Sequence, residues 1–218
     1  MTARVLPDDV VGRREAVAAL RRGALVALPT DTVYGLGVAL DAPHGLERLF
    51  AAKRRPIDKG IVLLLADHRQ ADEVGRLGPT AQVLAAAFWP GGLTLVVPQR
   101  SDARLPVELT GGAATIGLRV PAHDAPRALA LELGPLPVSS ANRSGDPPAR
   151  TAAEVLARLN EVPDLAVVLD GGPAPGGIAS TVVDCSGDPP RILRPGAVPA
   201  EMLAAALDEA GLEHRLLD

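Results

Sequence analysis

The chain has 218 residues, 47% of them hydrophobic and 22% charged, which suffices for one core of ordinary size, so a single domain over residues 1–218 is expected. A net charge of -4 argues against a wholly basic, nucleic-acid-binding surface, and the few aromatic residues, Tyr34, Phe50, Phe88 and Trp89, leave too few rings for a base-stacking platform. One cysteine, Cys185, excludes an intramolecular disulfide and thiol zinc sites, and the apolar runs fall far short of the ~20 residues of a membrane span.

In chain order, the N-terminal segment lacks the apolar stretch of a secretory signal, so the cytoplasm is the default compartment. Residues 9–22 read as a helix, with Asp8 or Asp9 as N-cap and Gly23 closing it. A short apolar strand over 24–28 stops at Pro29, and 30–37 reads as a polar, glycine-punctuated loop. A helix over 43–55, ending at Pro56, leads to a near-continuous apolar strand over 60–66, the pattern of a strand covered on both faces. Helical periodicity returns over 68–77 and 80–88, and Trp-Pro-Gly-Gly turns the chain into a strand over 93–97.

Residues 102–114, with Gly111-Gly112, read as the most mobile loop. Further strands are expected over 115–120, 137–140, 166–169, 180–184 and 191–193. Thr151 and Glu154 have capping-box spacing at the head of a helix running to about residue 160, and 199–210 forms a last helix before Gly211. Strands alternating with helices, then consecutive strands, point to an α/β fold with a mixed sheet. Cys185 reads as a small buried or half-buried hydrophobe.

The basic residues are lopsided. Twenty are arginine, and the two lysines, Lys53 and Lys59, share the segment Lys-Arg-Arg-Pro-Ile-Asp-Lys. Complementing a helix C-terminus accounts for Lys53, Arg54 and Arg55, but Lys59 lies beyond the proline, where a cation at the mouth of a sheet suits an anionic ligand such as a polyphosphate. A second candidate, Thr30-Asp31-Thr32-Val33-Tyr34, gathers hydroxyls and a carboxylate where a strand leaves the sheet. It reads either as a self-satisfied turn or as a small-molecule site. The third, Ser139-Ser140-Ala141-Asn142, also leaves a strand. No Gly-x-Ser-x-Gly elbow accompanies it, and the histidines are scattered, so hydrogen bonding to a ligand is expected rather than covalent catalysis. Neither a Walker loop nor a dinucleotide fingerprint is present.

Taken in order, Pro-Thr-Asp-Thr-Val-Tyr-Gly-Leu-Gly, Lys-Arg-Arg-Pro-Ile-Asp-Lys-Gly, Trp-Pro-Gly-Gly-Leu-Thr, Gly-Leu-Arg-Val-Pro, Ser-Ser-Ala-Asn-Arg-Ser-Gly, Ser-Thr-Val-Val-Asp and Leu-Arg-Pro-Gly resemble the YrdC-like family of threonylcarbamoyl-adenylate synthases. The resemblance runs from Pro29 to Gly196. It implies a twisted, open α/β sheet with flanking helices around a basic cavity. The implied enzyme is a nucleotidyltransferase that converts L-threonine, bicarbonate and ATP, assisted by Mg2+, into threonylcarbamoyl-AMP and pyrophosphate. A separate threonylcarbamoyl transferase complex would then modify tRNA, and weak direct binding of tRNA is left open. No protein ligand to the metal and no membrane partner are implied.

Residue by residue, the resemblance makes Lys53 and Arg55 the catalytic cations and puts Lys53, Arg55, Lys59, Thr115, Ser140, Asn142 and Arg194 on ATP. It puts Thr32, Tyr34, Arg119 and Ser139 on threonine, with Arg119 toward the carboxylate. Some members carry a histidine where this chain has Leu63-Leu64-Leu65, which leaves one side of the amino-acid pocket unassigned. Longer members append a second domain, and this chain resembles the short, single-domain type. The alternatives are a paralogue acting on another carbamoyl or acyl substrate and an RNA-binding module using the basic cavity.

Overall fold

The computed structural model describes residues 3–54, 56, 60–159 and 161–217. In chain order the elements are β1 (Arg4–Pro7), α1 (Val10–Arg21), β2 (Leu25–Leu28), β3 (Gly35–Gly37), α2 (Gly45–Lys53), β4 (Val62–Leu64), α3 (His68–Val74), α4 (Pro79–Phe88), β5 (Leu93–Pro98), α5 (Val107–Thr110), β6 (Thr115–Arg119), α6 (Asp124–Leu133), β7 (Leu136–Ser140), α7 (Ala152–Leu159), β8 (Leu165–Asp170), β9 (Thr181–Asp184), β10 (Arg191–Arg194) and α8 (Ala200–Glu209). The strands form one sheet in the order β1-β8-β2-β3-β7-β4-β6-β5-β9-β10. It is mixed, as expected: β1, β2 and β8 run parallel, as do β4 with β6 and β5 with β9, while the central pairs β2·β3, β3·β7 and β4·β7 are antiparallel.

Alternation along the strands assigns the two faces. In β2, Leu25 and Ala27 join one apolar cluster with Leu49, Leu84, Val155 and Leu203, whereas Val26 and Leu28 join another with Ala16, Leu20 and Leu129. Helices α1 and α6 therefore cover one face, and α2, α4, α7 and α8 the other. A sheet buried on both sides explains why its strands read as continuous apolar runs.

Local chemistry sets the ends. Asp9 caps α1, its carboxylate accepting from the Gly12 amide at 2.8 Å, and Gly23 follows at φ +77°. At α7, Thr151 Oγ1 accepts from the Glu154 amide at 3.1 Å, and the Glu154 carboxylate reaches back one residue further than the usual box, to the Arg150 amide at 3.0 Å. Cys185 is half-buried, and burial pushes its thiol pKa up to about 12.

Two sequence expectations change, and one strand had left no signal. Residues 102–114 are not simply loop: they contain α5, whose Leu109 is fully buried and whose carbonyl accepts from the Ile61 amide at 2.8 Å. Residues 30–37 end in a strand, β3, because a Cβ at Gly35 would lie 2.5 Å from Val138 Cγ1, so glycine is what permits close pairing with β7. The edge strand β1 carries no buried residue and so left no periodic signal. No described helix is long and apolar enough to cross a membrane.

Candidate functional site

A cavity of about 320 Å³ opens where β2 gives way to β3, between the ends of β6 and β7 and beside β9 and β10. Its wall includes Thr32, Tyr34, Arg119, Ser139, Ser140, Asn142 and Arg194, so most of the residues singled out from sequence are brought together. Residues Arg55 and Lys59 lie outside the described residues. Thr115 starts β6, opposite Pro98 and about 13 Å from Arg119 by strand rise, and is not part of this wall. Lys53, expected to face the phosphates, is also absent from the wall; it is 2% exposed, and its Nζ donates to the carbonyls of Ser140 at 2.5 Å and Asn142 at 2.7 Å.

One end of the cavity is built on the turn after β2. Thr30 satisfies its own turn: its hydroxyl donates to the Val33 carbonyl at 2.7 Å and accepts from the Thr32 amide at 3.1 Å. Thr32 turns inward, and its hydroxyl accepts from Arg119 Nη1 at 2.9 Å. Arg119, 5% exposed, also donates to Asp31 at 2.6 Å and to the Gly91 carbonyl at 2.8 Å. Gly91 belongs to the Trp-Pro-Gly-Gly turn, which is pinned by the Trp89 indole N–H on the Leu93 carbonyl at 2.7 Å, so that motif supports the arginine from behind. Burial pulls the Arg119 pKa down, and the charge of Asp31 opposes the shift. Three of the five guanidinium N–H groups are thus engaged, and the other two have no partner among the described residues.

Tyr34 contributes to the wall while its hydroxyl is turned away, donating to the Gly172 carbonyl at 2.7 Å. At the other end, Arg194 donates to the Ser180 carbonyl at 2.8 Å and to its hydroxyl at 3.1 Å, and that hydroxyl pairs with Thr94 at 2.8 Å. A β-bulge between Ile192 and Arg194 shifts the register of β10 there. Asn142 uses both amide hydrogens, on the carbonyls of Arg143 at 2.9 Å and Asp146 at 2.7 Å, which fixes the orientation of its amide. Its Oδ1 is then a buried acceptor without a partner among the described residues.

Thr30 stood in a candidate motif, whereas sequence reading gave no role to Thr94, Asp146 and Ser180, which also line the wall, nor to Asp31 as the partner of Arg119. Asp31 sat in a motif already noted for its carboxylate. Thr94 ends the Trp-Pro-Gly-Gly-Leu-Thr motif and Ser180 opens Ser-Thr-Val-Val-Asp, but it is the sheet order, which sets β5 beside β9, that brings the two together.

A mixed sheet with two arginines and several hydroxyls around one cavity has the form of a small-molecule binding site. The chain belongs to the Sua5/YciO/YrdC family: the family model described as Sua5_yciO_yrdC, telomere recombination, matches residues 18–196. A threonylcarbamoyl-AMP synthase of Bacillus subtilis (strain 168) is 37% identical over 206 residues, which are 94% of this chain and 59% of that protein. The structure of Pyrococcus abyssi Sua5 complexed with L-threonine superposes with TM-score 0.85 at 36% identity, covering 95% of this chain and 61% of that one. Escherichia coli YciO shares the fold, with TM-score 0.81 at 24% identity over 91% of this chain and 98% of its own. The chain thus spans about three fifths of the first two relatives.

Proposed function

We propose that the chain is a threonylcarbamoyl-AMP synthase, a nucleotidyltransferase that makes threonylcarbamoyl-AMP and pyrophosphate from L-threonine, bicarbonate and ATP. The observation that carries the reading is the buried group of Arg119, Asp31 and Thr32 at the cavity, in a chain 36% identical to a protein whose structure holds L-threonine. The remaining N–H groups of Arg119 suit a carboxylate, since a guanidinium presents paired donors in a fixed plane. Thr32, Tyr34 and Ser139 complete the proposed threonine subsite.

Arg194, Ser140 and Asn142 are assigned to the nucleotide, with Arg55 and Lys59 on its phosphates and Thr115 at its margin. The chemistry has two parts. The threonine amine joins bicarbonate to give a carbamate and water; a carbamate oxygen then attacks the α-phosphorus of ATP and pyrophosphate leaves. Neither part needs a protein nucleophile. What the residues supply is alignment of the two substrates and neutralisation of phosphate charge.

Mg2+ is proposed to come with ATP. The described wall offers a single carboxylate, Asp146, and Asp31 is engaged by Arg119, which fits an ion held mainly by phosphate oxygens. Bound there, the ion would offset phosphate charge. The product is proposed to feed a threonylcarbamoyl transferase complex acting on tRNA in the cytoplasm, with direct contact to tRNA weak.

The test is pyrophosphate release by the purified protein. Release from ATP only when threonine and bicarbonate are both present supports the reading. Release without threonine, or none, overturns it.

A further inference from the structure

We infer that selectivity for threonine over serine is set by an apolar recess beside Arg119, walled by Val62 and Leu64 and floored by Gly117. The inference rests on the proposed function for the amino acid, and on the following geometry for the recess. β6 runs between β4 and β5, and Leu64 is the direct strand partner of Arg119. Alternation puts Leu63 and Leu118 in the cluster on one face, whereas Leu64 joins the other and lines the cavity with Val62 and Arg119. Gly117 lies beside them, half-buried in mid-strand. A Cβ built on it finds Val62 Cγ2 at 3.4 Å and Thr94 Cγ2 at 3.6 Å, both ordinary contacts. The Thr94 hydroxyl is occupied elsewhere, paired with Ser180 at 2.8 Å, and Thr94 also lines the cavity. Two methyl groups, one from β4 and one from β5, thus stand on either side of bare backbone with room for one more carbon against both.

An amino acid held by its carboxylate on Arg119 has its side chain next to this recess. The threonine side chain forks into a methyl and a hydroxyl, and the surroundings fork as well. Val62, Leu64 and the Thr94 methyl offer apolar surface, while the Thr32 hydroxyl, 2.9 Å from Arg119 Nη1, offers a polar partner. The methyl enters the recess, where it leaves water and gains dispersion contacts. Serine leaves the recess unfilled. Valine fills it but turns a second methyl to Thr32, where it makes no hydrogen bond. Glycine at position 117 keeps the space open, because any side chain there occupies it.

The experiment measures calorimetric binding of L-threonine, L-serine and ATP to the wild type and to Gly117→Ala. The wild type is expected to bind threonine about tenfold more tightly than serine, the discrimination an apolar pocket gives for one missing methyl. The added methyl makes only ordinary contacts, so Gly117→Ala is expected to fold. Its threonine affinity falls about tenfold while serine and ATP affinities stay within about threefold, and the preference disappears. Unchanged threonine affinity, or equal losses for threonine and serine, overturns the inference. A loss confined to ATP also overturns it and makes the recess part of the nucleotide site. If Gly117→Ala does not fold, Val62→Ala removes one wall and is expected to lower the threonine-to-serine ratio at least about threefold; an unchanged ratio overturns the inference. The functional reading fails separately. Threonine preferred over serine, with no pyrophosphate released when ATP and bicarbonate are added, overturns that reading alone, whereas pyrophosphate release with equal affinity for the two amino acids overturns the inference alone.

Discussion

Arg119 Nη2 lies 2.6 Å from Asp31 Oδ1, joining the last residue of β6 to the turn after β2 across the inner wall of the cavity. Neither side chain is well exposed, at 6% for Arg119 and 14% for Asp31. Such a pair adds little over an apolar replacement but is expensive to break from one side, because the surviving charge stays buried.

Asp31→Ala is therefore expected to destabilise the fold by about 2–4 kcal/mol, the partial exposure of Asp31 holding the loss below that of a fully buried pair. Asp31→Asn, which keeps an acceptor for Arg119, loses less. Denaturant unfolding of the two variants checks the order, and equal stability of Asp31→Ala and wild type contradicts it.

Arg119→Lys keeps the charge but not the planar fork that reaches Asp31, Thr32 and the Gly91 carbonyl together. The apparent KM for threonine should rise at least about tenfold, with that for ATP changing much less. Equal effects on both substrates would remove Arg119 from the amino-acid subsite.

Tyr34→Phe deletes the bond to the Gly172 carbonyl and should cost about 1 kcal/mol while turnover falls less than about threefold, since the phenol oxygen faces away from the cavity. Burial raises the Tyr34 pKa, so the folded chain favours the neutral phenol. A raised folded pKa leaves stability intact below the unfolded value and erodes it as pH climbs from there, here above about 10. The phenylalanine variant should lose less stability over that alkaline range than the wild type, as measured by chemical denaturation at stepped pH.

Cys185 titrates in the same sense, its pKa pushed from 9.0 up to about 12 by burial, so its contribution is lost between those two values. At pH 8 the thiolate is scarce, and alkylation of the native protein should be at least ~100-fold slower than that of the unfolded chain. Labelling at equal rates in the two states would contradict the burial.

Gly35→Ala should destabilise by about 1–3 kcal/mol, because the methyl would meet Val138 Cγ1 at 2.5 Å in the pairing of β3 with β7. Since β7 ends in Ser139 and Ser140, ligand affinity should fall with stability. A variant as stable as wild type would show that the two strands can separate without harm.

Most of the architecture was legible because its signals are local. Asp9 and Gly23 bracket α1, Thr151 and Glu154 open α7, and the apolar run through Leu63 and Leu64 marks a strand buried on both faces. What could not be read was set by distant partners. β3 looks like a loop until Val138 is placed beside Gly35, and α5 has too few residues to show a period. At the site, the motifs identified Thr32, Arg119 and Asn142, but not that Asp31 is the counter-charge of Arg119. The family resemblance put Lys53 with the phosphates, whereas its ammonium meets the carbonyls of Ser140 and Asn142, and no feature of the sequence announces an acceptor that is a backbone atom.

The central claim is that one cavity joins threonine, bicarbonate and ATP, and its most direct test is the mass of the product. Purified protein incubated with all three should yield a species with the mass of threonylcarbamoyl-AMP, absent when threonine is omitted and shifted by one mass unit when the bicarbonate carries carbon-13. A reaction mixture in which ATP is consumed with no such species, or in which the product mass ignores the label, would contradict the account.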